Sequence, residues 1–417
     1  MNYLFVHQHF PAQYVHLVRH LIGIPGNRVV FISQKCQHSI EGVENRVYQP
    51  QGTNGGGHPY VLPLDNAVRA ALAVNEVCAA LRAEGFVPDI IAGHAGWGET
   101  LLIHDVFPEV PLLCYFEFYF HAQGLDVGFD PEFSQAHADD NVRLHLRNAV
   151  SNMSFTNCHW MHTATEWQRS YFPSHMQARM TALHEGVDTS RVHADPQARL
   201  VLPNGVVLTA EDLVITFVAR DLEPYRGFHH FMRALPKVMQ ANPDVHVVVV
   251  GGDGVSYGAL PPYGGTYRNM LLAELSGKID LQRIHFLGRV PRNIFLSVLQ
   301  ISSAHTYFSY PFVPSWSLFE AMAVGCLIVG SDNAPVSQIL QHEETAYLVN
   351  TFDAEAVADT LLHAVNPSGQ HGRIRDAARA HIVKHYDLHT RILPRWLQLL
   401  DDVMHRRWPS QNLSGHE

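Results

Sequence analysis

Short continuous apolar runs alternate along this chain with longer stretches in which apolar residues recur every three or four positions. Residues 3–6, 28–32, 89–93 and 111–115 are runs of the first kind and predict buried strands. Tyr14, Val15, Leu17, Val18 and Leu21 repeat with helical spacing, as does the stretch 66–84. Strands separated by helix-length segments imply parallel pairing, because adjacent parallel strands need a crossover connection. The loop 51–60, QGTNGGGHPY, is flexible by its glycines. Two predicted strands end at His94 and at Glu117, so both residues fall on the carboxyl edge of one sheet, where open α/β sheets take their ligands. Helical or loop material covers 131–153, and Thr165 opens a helix over 166–171.

The second half repeats the alternation. Strands are predicted over 214–218, 245–250, 284–287 and 305–308, and helices over 228–239, 267–275, 294–299, 354–364 and 372–385. A linker near 185–205 closes on the turn signal Pro203-Asn204-Gly205. A last amphipathic helix spans 388–404, and the tail WPSQNLSGHE is polar and frayed. The whole reads as an α/β protein of two Rossmann-like, doubly wound domains facing across a cleft. Their expected bounds are 1–190 for an acceptor-side domain and 200–386 for a donor-side domain, followed by a C-terminal helix over 387–408.

The stretch 310–330, YPFVPSWSLFEAMAVGCLIVG, is the densest in signals. Pro311 and Pro314 interrupt the chain, Ser315 is an N-cap, Gly325 ends a short helix, and residues 326–329 run apolar into a strand. Unpaired amides of Trp316, Ser317 and Leu318 at the positive end of the helix dipole suit a phosphate. Glu320 lies one turn further in, where a carboxylate accepts two hydrogen bonds from a sugar diol; its plain alternative is a helix-surface acid. Phosphate at the helix tip and diol at Glu320 together describe a nucleotide.

At 417 residues the chain exceeds one ordinary domain, and its 47% hydrophobic and 16% charged content suits globular folding. Net charge is −10, and residues 1–190 carry 10 Lys plus Arg against 18 Asp plus Glu. That argues against nucleic acid or an anionic membrane as the main partner. No apolar run is long enough to span a bilayer, and the start MNYLFVHQHF lacks a basic leader. Five scattered cysteines, Cys36, Cys78, Cys114, Cys158 and Cys326, fit a reducing cytoplasm better than a disulfide framework. The 29 histidines include no HExxH, and no Asp-x-Asp occurs, so no metal and no cofactor are expected.

Arg220 and Arg226 flank a strand-to-loop turn, where two cations can clamp a diphosphate and neutralise its departing charge. The alternative is a surface pair of Arg220 with Asp221 or Glu223. ARDLEPYRGF, followed by SWSLFEAMAVG, resembles the retaining, family-4-like nucleotide-sugar glycosyltransferases of GT-B fold. HQHFPAQ, FEFYFH, VGFDPEF and EGVD look like a bacterial subgroup of that family, and the resemblance covers nearly the whole chain.

The resemblance implies roles for particular residues. Arg220 and Arg226 would bind the donor diphosphate, and Glu320, the second glutamate of a Glu-x7-Glu motif, would hold the ribose hydroxyls. Phe312 stands in place of the first glutamate, which in the family helps orient the donor sugar. Gly252 in GGDG would line the donor pocket, with Leu287 and Arg289 of FLGRV beside the base. As a dinucleotide fingerprint GGDG is incomplete, since Tyr257 stands where a third glycine belongs. Glu117 falls where many relatives carry a sugar-contacting histidine, and either Glu117 or His121 is placed to project toward a sugar. Gln13, His94 and Glu99 are further candidate sugar or acceptor contacts. Ala12 stands where the family usually has a glycine near the phosphate.

The implied activity is transfer of a sugar from a nucleotide diphosphate, UDP favoured, to an unidentified carbohydrate or glycoconjugate acceptor. Configuration would be retained, without a metal, in bacterial glycan assembly. A nucleotide-sugar epimerase and a nucleotide-binding protein without turnover remain alternatives on the same fold.

Overall fold

The computed structural model describes residues 1–35, 39–52, 57–262, 264–366 and 371–407. Cys36, the glycine-rich centre of the 51–60 loop and the tail from 408 lie outside them. Two compact units account for the chain. The first comprises Met1–Ala122, His137–Gly186 and the chain from Leu388; the second comprises Gln123–Ala136 and Val187–Asp387.

The first unit is built on seven parallel strands: β1 (Asn2–Val6), β2 (Arg28–Ser33), β3 (Val43–Val47), β4 (Ile90–His94), β5 (Leu112–Tyr115), β6 (Trp160–Thr163) and β7 (Met180–Ala182). Their spatial order is β3-β2-β1-β4-β5-β6-β7, so the winding reverses between β1 and β4. Leu4 pairs with Val30 on one side and Ile91 on the other. All three are fully buried, as continuous apolar strands covered on both faces must be. The apolar stripe Trp396, Leu399, Leu400 and Val403 on the helix Leu393–Met404 packs into the same core as Tyr14, Val18 and Phe31. Trp396 also donates its indole N–H to the carbonyl of His184 at 3.2 Å.

The second unit starts with a small antiparallel hairpin, β8 (Arg199–Val201) and β9 (Val207–Thr209), turning through Gly205 at φ 86°. The Pro-Asn-Gly signal read as part of a linker is therefore the turn of a hairpin. Six parallel strands follow: β10 (Val214–Asp221), β11 (His246–Gly252), β12 (Ile284–Gly288), β13 (Ala304–Tyr307), β14 (Ile328–Ser331) and β15 (Tyr347–Val349). Their order is β12-β11-β10-β13-β14-β15, with the reversal between β10 and β13. Both sheets thus present a topological switch point, the place where such sheets bind ligands.

Residues 123–136 sit inside the first expected domain by sequence but pack with the second unit. Polar side chains hold them there. Tyr225 donates to Asp126 at 2.9 Å, Tyr310 to Asp130 at 2.7 Å, and Arg233 forms two bonds to Glu132. No helix among the described residues is long and apolar enough to cross a membrane. Cys78, Cys114, Cys158 and Cys326 are buried free thiols.

Candidate functional site

At the switch point of the second sheet, β10 ends in Arg220 and Asp221 and turns through Glu223 into the short helical turn Pro224–Arg226. Gly227, at φ 67°, then starts the helix Phe228–Ala241. A Cβ on Gly227 would lie 2.3 Å from that of Phe308, so the turn after β10 seats against Phe308, just past β13, only because this residue is glycine.

The turn delivers Arg226 into the interior. Its guanidinium donates to Ser309 Oγ at 2.9 Å and to the Val313 carbonyl at 3.3 Å, and lies over the rings of Tyr257, at 4.9 Å, and Phe312, at 5.9 Å. Arg220, exposed, comes within 5.8 Å of the same Tyr257 ring. The expected cation pair therefore converges on one aromatic ring. Asp221 and Glu223, the surface partners weighed for Arg220, are both engaged elsewhere.

Glu223 is fully buried and accepts the consecutive backbone N–H groups of Ser256, Tyr257 and Gly258. Burial pushes its pKa up, and those three N–H groups oppose the shift. The carboxylate ties the loop after β11 to the turn after β10, which orients Tyr257 beneath the arginines. Asp221 accepts from Ser256 Oγ at 2.5 Å and from Arg289 at 2.7 Å. Burial raises the Asp221 pKa, but these two bonds outweigh it and leave the carboxyl below its ordinary range. Gly252 is packed between them: a Cβ there would stand 2.4 Å from Asp221 Oδ1 and 2.7 Å from Arg289 Nε. Leu287 is half-buried against the core of β10 and β11.

The helix Trp316–Val324 begins at Ser315 and stops at Gly325, φ 85°, as the sequence pattern predicts. Its amides differ from the expectation. Ser317 N–H donates to Ser315 Oγ and Leu318 N–H to the Ser315 carbonyl, so the N-cap already holds two of the three donors proposed for a phosphate. Leu318 is fully buried, while Trp316 is 47% exposed. Glu320 is not a solvated surface acid. Its side chain is mostly buried and pairs with Arg292 at 2.5 Å, and burial raises its pKa against that pairing. Phe312 is buried among Tyr225, Tyr257 and Arg226.

At the switch point of the first sheet, His7 follows β1 and His94 ends β4. Each accepts a backbone N–H on Nδ1, from His9 at 2.8 Å and Gly96 at 2.9 Å, so the neutral form of each carries its proton on Nε2. Burial, with His94 and His9 nearby, lowers the His7 pKa well below its ordinary value. His94 stacks on Trp97 at 3.8 Å, and its Nε2 lies 3.7 Å from Glu117 Oε2. Gln13 is buried with no partner for its Nε2, and Ala12 has a left-handed φ of 48°, a conformation a glycine adopts more easily. His121 is directed elsewhere: its Nε2 lies 2.8 Å from the Tyr171 carbonyl and its ring packs on Tyr119 and Tyr171. Of the two candidates near 117, the structure gives His121 a backbone partner and Glu117 the neighbourhood of His94. Glu99 is wholly buried and accepts from Tyr48 at 2.7 Å, a core role.

Glu223, Tyr257, Arg292, His7 and Trp97 belong to these surroundings and were not picked out as site residues from the sequence, where Glu223 figured only as a surface partner for Arg220 and Tyr257 only as a break in the glycine fingerprint. Only Glu223 carried a local signal, an acid two residues past the end of a strand and directly ahead of a proline.

The fold defined here, two parallel-sheet α/β units each with a switch-point cluster, is that of the GT-B class. Comparison with known proteins agrees. The family described as Glycosyl transferase family 4 group matches residues 25–192, and Glycosyl transferases group 1 matches residues 204–381. Each half of the chain thus matches a glycosyltransferase family model, on a fold of the GT-B class.

It is 30% identical over 178 residues to a phosphatidyl-myo-inositol mannosyltransferase of Mycobacterium leprae (strain TN), covering 42% of each chain. It is 28% identical over 178 residues to the protein of the same name from Mycolicibacterium smegmatis, covering 39% of this chain and 41% of that one. The chain thus matches less than half the length of these relatives. Among solved structures, Anabaena Alr3699/HepE in complex with UDP superposes with a TM-score of 0.66 at 15% identity, over 96% of this chain and 100% of that one. Sucrose-phosphate synthase (tll1590) from Thermosynechococcus elongatus gives 0.70 at 16% identity, over 97% and 100%.

Proposed function

We propose that the protein transfers a sugar from a nucleoside diphosphate donor, UDP-linked in first preference, to a carbohydrate or glycoconjugate acceptor. The observation that carries this reading is the convergence of Arg220 and Arg226 on Tyr257, over a loop that the buried Glu223 holds in place. Two cations at a switch point, Arg226 held in place by Ser309 and Val313, favour the charge that grows on a departing diphosphate, and preorganised charge lowers a barrier without reorganisation. Glu320 would receive the ribose diol, with Arg292 giving way or sharing the carboxylate. Ser317 N–H would exchange its cap for a phosphate oxygen. UDP as the leaving nucleotide draws support from the structural relatives solved with UDP and UDP-glucose.

Transfer would retain configuration, by same-face attack guided by the leaving diphosphate. Glu117, His94 and Gln13 would contact the transferring sugar or the acceptor. No divalent ion would be needed for the transfer step, and the setting would be cytoplasmic assembly of bacterial glycans.

The test is a panel of UDP-, GDP- and ADP-sugars with and without candidate acceptors, read by nucleotide release and by thermal shift. UDP should raise Tm by several degrees, release should require acceptor and proceed without added Mg2+, and the anomeric coupling of the product should match the donor. Release without acceptor would sink the transferase reading. Tight UDP binding with no release under any condition would favour the reading without turnover, to which Phe312 in the motif position lends weight.

A further inference from the structure

The segment 123–136 is fastened to the second unit around one buried carboxylate, Asp130. Its Oδ1 accepts the backbone N–H groups of Glu132 at 2.8 Å and Phe133 at 3.3 Å, and its Oδ2 accepts the Tyr310 hydroxyl at 2.7 Å. Two imidazoles from the first turn of the helix Phe228–Ala241 face the same Oδ2: His229 Nε2 at 2.8 Å and His230 Nε2 at 3.8 Å. Consecutive helical residues normally point about 100° apart. Here both rings are turned to one side, with centroids 3.7 Å apart.

The rings pack edge-on against Phe133 and Phe352, but those contacts leave three of the four imidazole nitrogens buried and without a hydrogen bond. The 2.8 Å from His229 is a hydrogen-bond distance, yet the N–H direction is wrong for one, and neither ring nitrogen of His229 has a hydrogen-bond partner. His230 Nε2 is likewise buried and unpartnered. Asp130, His229 and His230 are only 1%, 0% and 9% exposed, so water does not reach these nitrogens freely. Leaving buried polar atoms unmade is costly.

Two nitrogens and a carboxylate oxygen, all within 4.8 Å of one another, are a metal-ligand set. Ligand atoms bound to one zinc at about 2.0–2.2 Å in tetrahedral geometry stand about 3.3 Å apart. The observed 2.8 and 3.8 Å bracket that spacing. Lone pairs aimed at a shared ion, rather than an N–H aimed at an oxygen, also explain the misdirected contact. Tyr310 on Asp130 supplies the outer hydrogen bond that orients a ligating carboxylate. The Arg233 charge nearby is taken up by Glu132 and Glu274.

We propose that Asp130, His229 and His230 form a structural site for a zinc-class divalent ion, which staples residues 123–136 to the helix Phe228–Ala241. Nitrogen-rich donors with one carboxylate favour zinc over magnesium or calcium. The staple is independent of the transfer chemistry proposed above.

The experiment uses the purified full-length chain, its zinc content after gel filtration, and Tm before and after EDTA with ZnCl2 added back. One zinc per chain is expected, with Tm falling by roughly 5 °C on chelation and recovering with zinc. His230→Gln and Asp130→Asn should each weaken zinc binding at least ~100-fold, since each removes a ligand. His230→Gln is the safer variant because it leaves the Tyr310–Asp130 bond intact. His363→Gln, at a separate histidine cluster with His371 and Tyr347, should keep the zinc. Zinc content unchanged in both His230→Gln and Asp130→Asn would overturn the proposal. So would zinc lost on His363→Gln but kept on His230→Gln, or a wild-type chain that retains no zinc and shows no zinc-dependent Tm.

Discussion

The two sheets place a cluster at the same topological position and fill it with opposite chemistry. At the end of β10 the chain brings in arginines, one of them buried and held by neutral oxygens and aromatic faces. At the ends of β1 and β4 it brings in two buried imidazoles and a tryptophan, with one partly exposed glutamate. The switch point supplies the location, since diverging crossovers open a crevice there in any doubly wound sheet. Side chains decide what the crevice attracts. The second cluster suits a polyanion, and the first suits hydroxyl groups and sugar faces, to which imidazole N–H donors and an aromatic plane are complementary.

The difference can be broken most decisively at Arg226. Replacing it by Ala should lower turnover by about 10²–10³-fold and abolish the UDP-induced rise in Tm. Arg226→Lys, which keeps charge but loses the forked contacts to Ser309 and Val313, should fall between. Equal UDP stabilisation of wild type and Arg226→Ala would remove the anion site from the second sheet.

A smaller effect is expected from the first cluster. Glu117→Gln should reduce turnover about 10-fold with the UDP shift in Tm unchanged, because the contact is assigned to sugar or acceptor and not to the diphosphate. Intact turnover would show that Glu117 has no such role. A lost UDP shift would show that the two clusters do not divide the work as described.

The smallest effect is on stability against pH. His162 is fully buried beside Trp396 and Tyr115, has no partner on either ring nitrogen, and is held down to about 3 by burial. His184 is held to about the same value, also by burial first. Unfolded, each takes a proton near pH 6.5, so the unfolded state binds more protons than the folded one between about pH 6.5 and pH 3. Their contribution is therefore complete above pH 6.5 and is lost as pH falls through that window. The slope is at most ~1.4 kcal/mol per pH unit for each imidazole. In chemical denaturation at pH 8 and pH 5, His162→Phe should lose less stability on acidification than wild type. Parallel losses in the two proteins would exclude His162 as a contributor.

Much of this was legible in the sequence, and the reason is local. The buried parallel strands declare themselves by continuous apolar runs, such as HVVVV in β11, and the helix after Ser315 by its cap and terminal glycine. Strand β3 was not legible: VENRV is half-exposed throughout, so it lacks the apolar run that marks a central strand. Arg220, Arg226 and Glu320 could be picked out because strand ends and helix starts are visible in one dimension. Tyr257 could not, since it joins the arginines only through the Glu223 clamp, a contact across the sheet. Nor could His121 be separated from Glu117, because both lie in one aromatic stretch and only packing directs His121 to the Tyr171 carbonyl.

The sequence by itself determined two doubly wound sheets, most of their central strands and the turns where charged residues emerge. Periodicity, proline and glycine act over a few residues, and those features need nothing more. The tertiary structure decided which emerging residues meet. It turned Arg226 inward onto Tyr257, paired Glu320 with Arg292, filled the Ser315 cap and carried residues 123–136 onto the second unit, where Asp130 meets His229 and His230. Those outcomes depend on burying polar groups only where partners from distant parts of the chain satisfy them, a condition that short-range pattern cannot express.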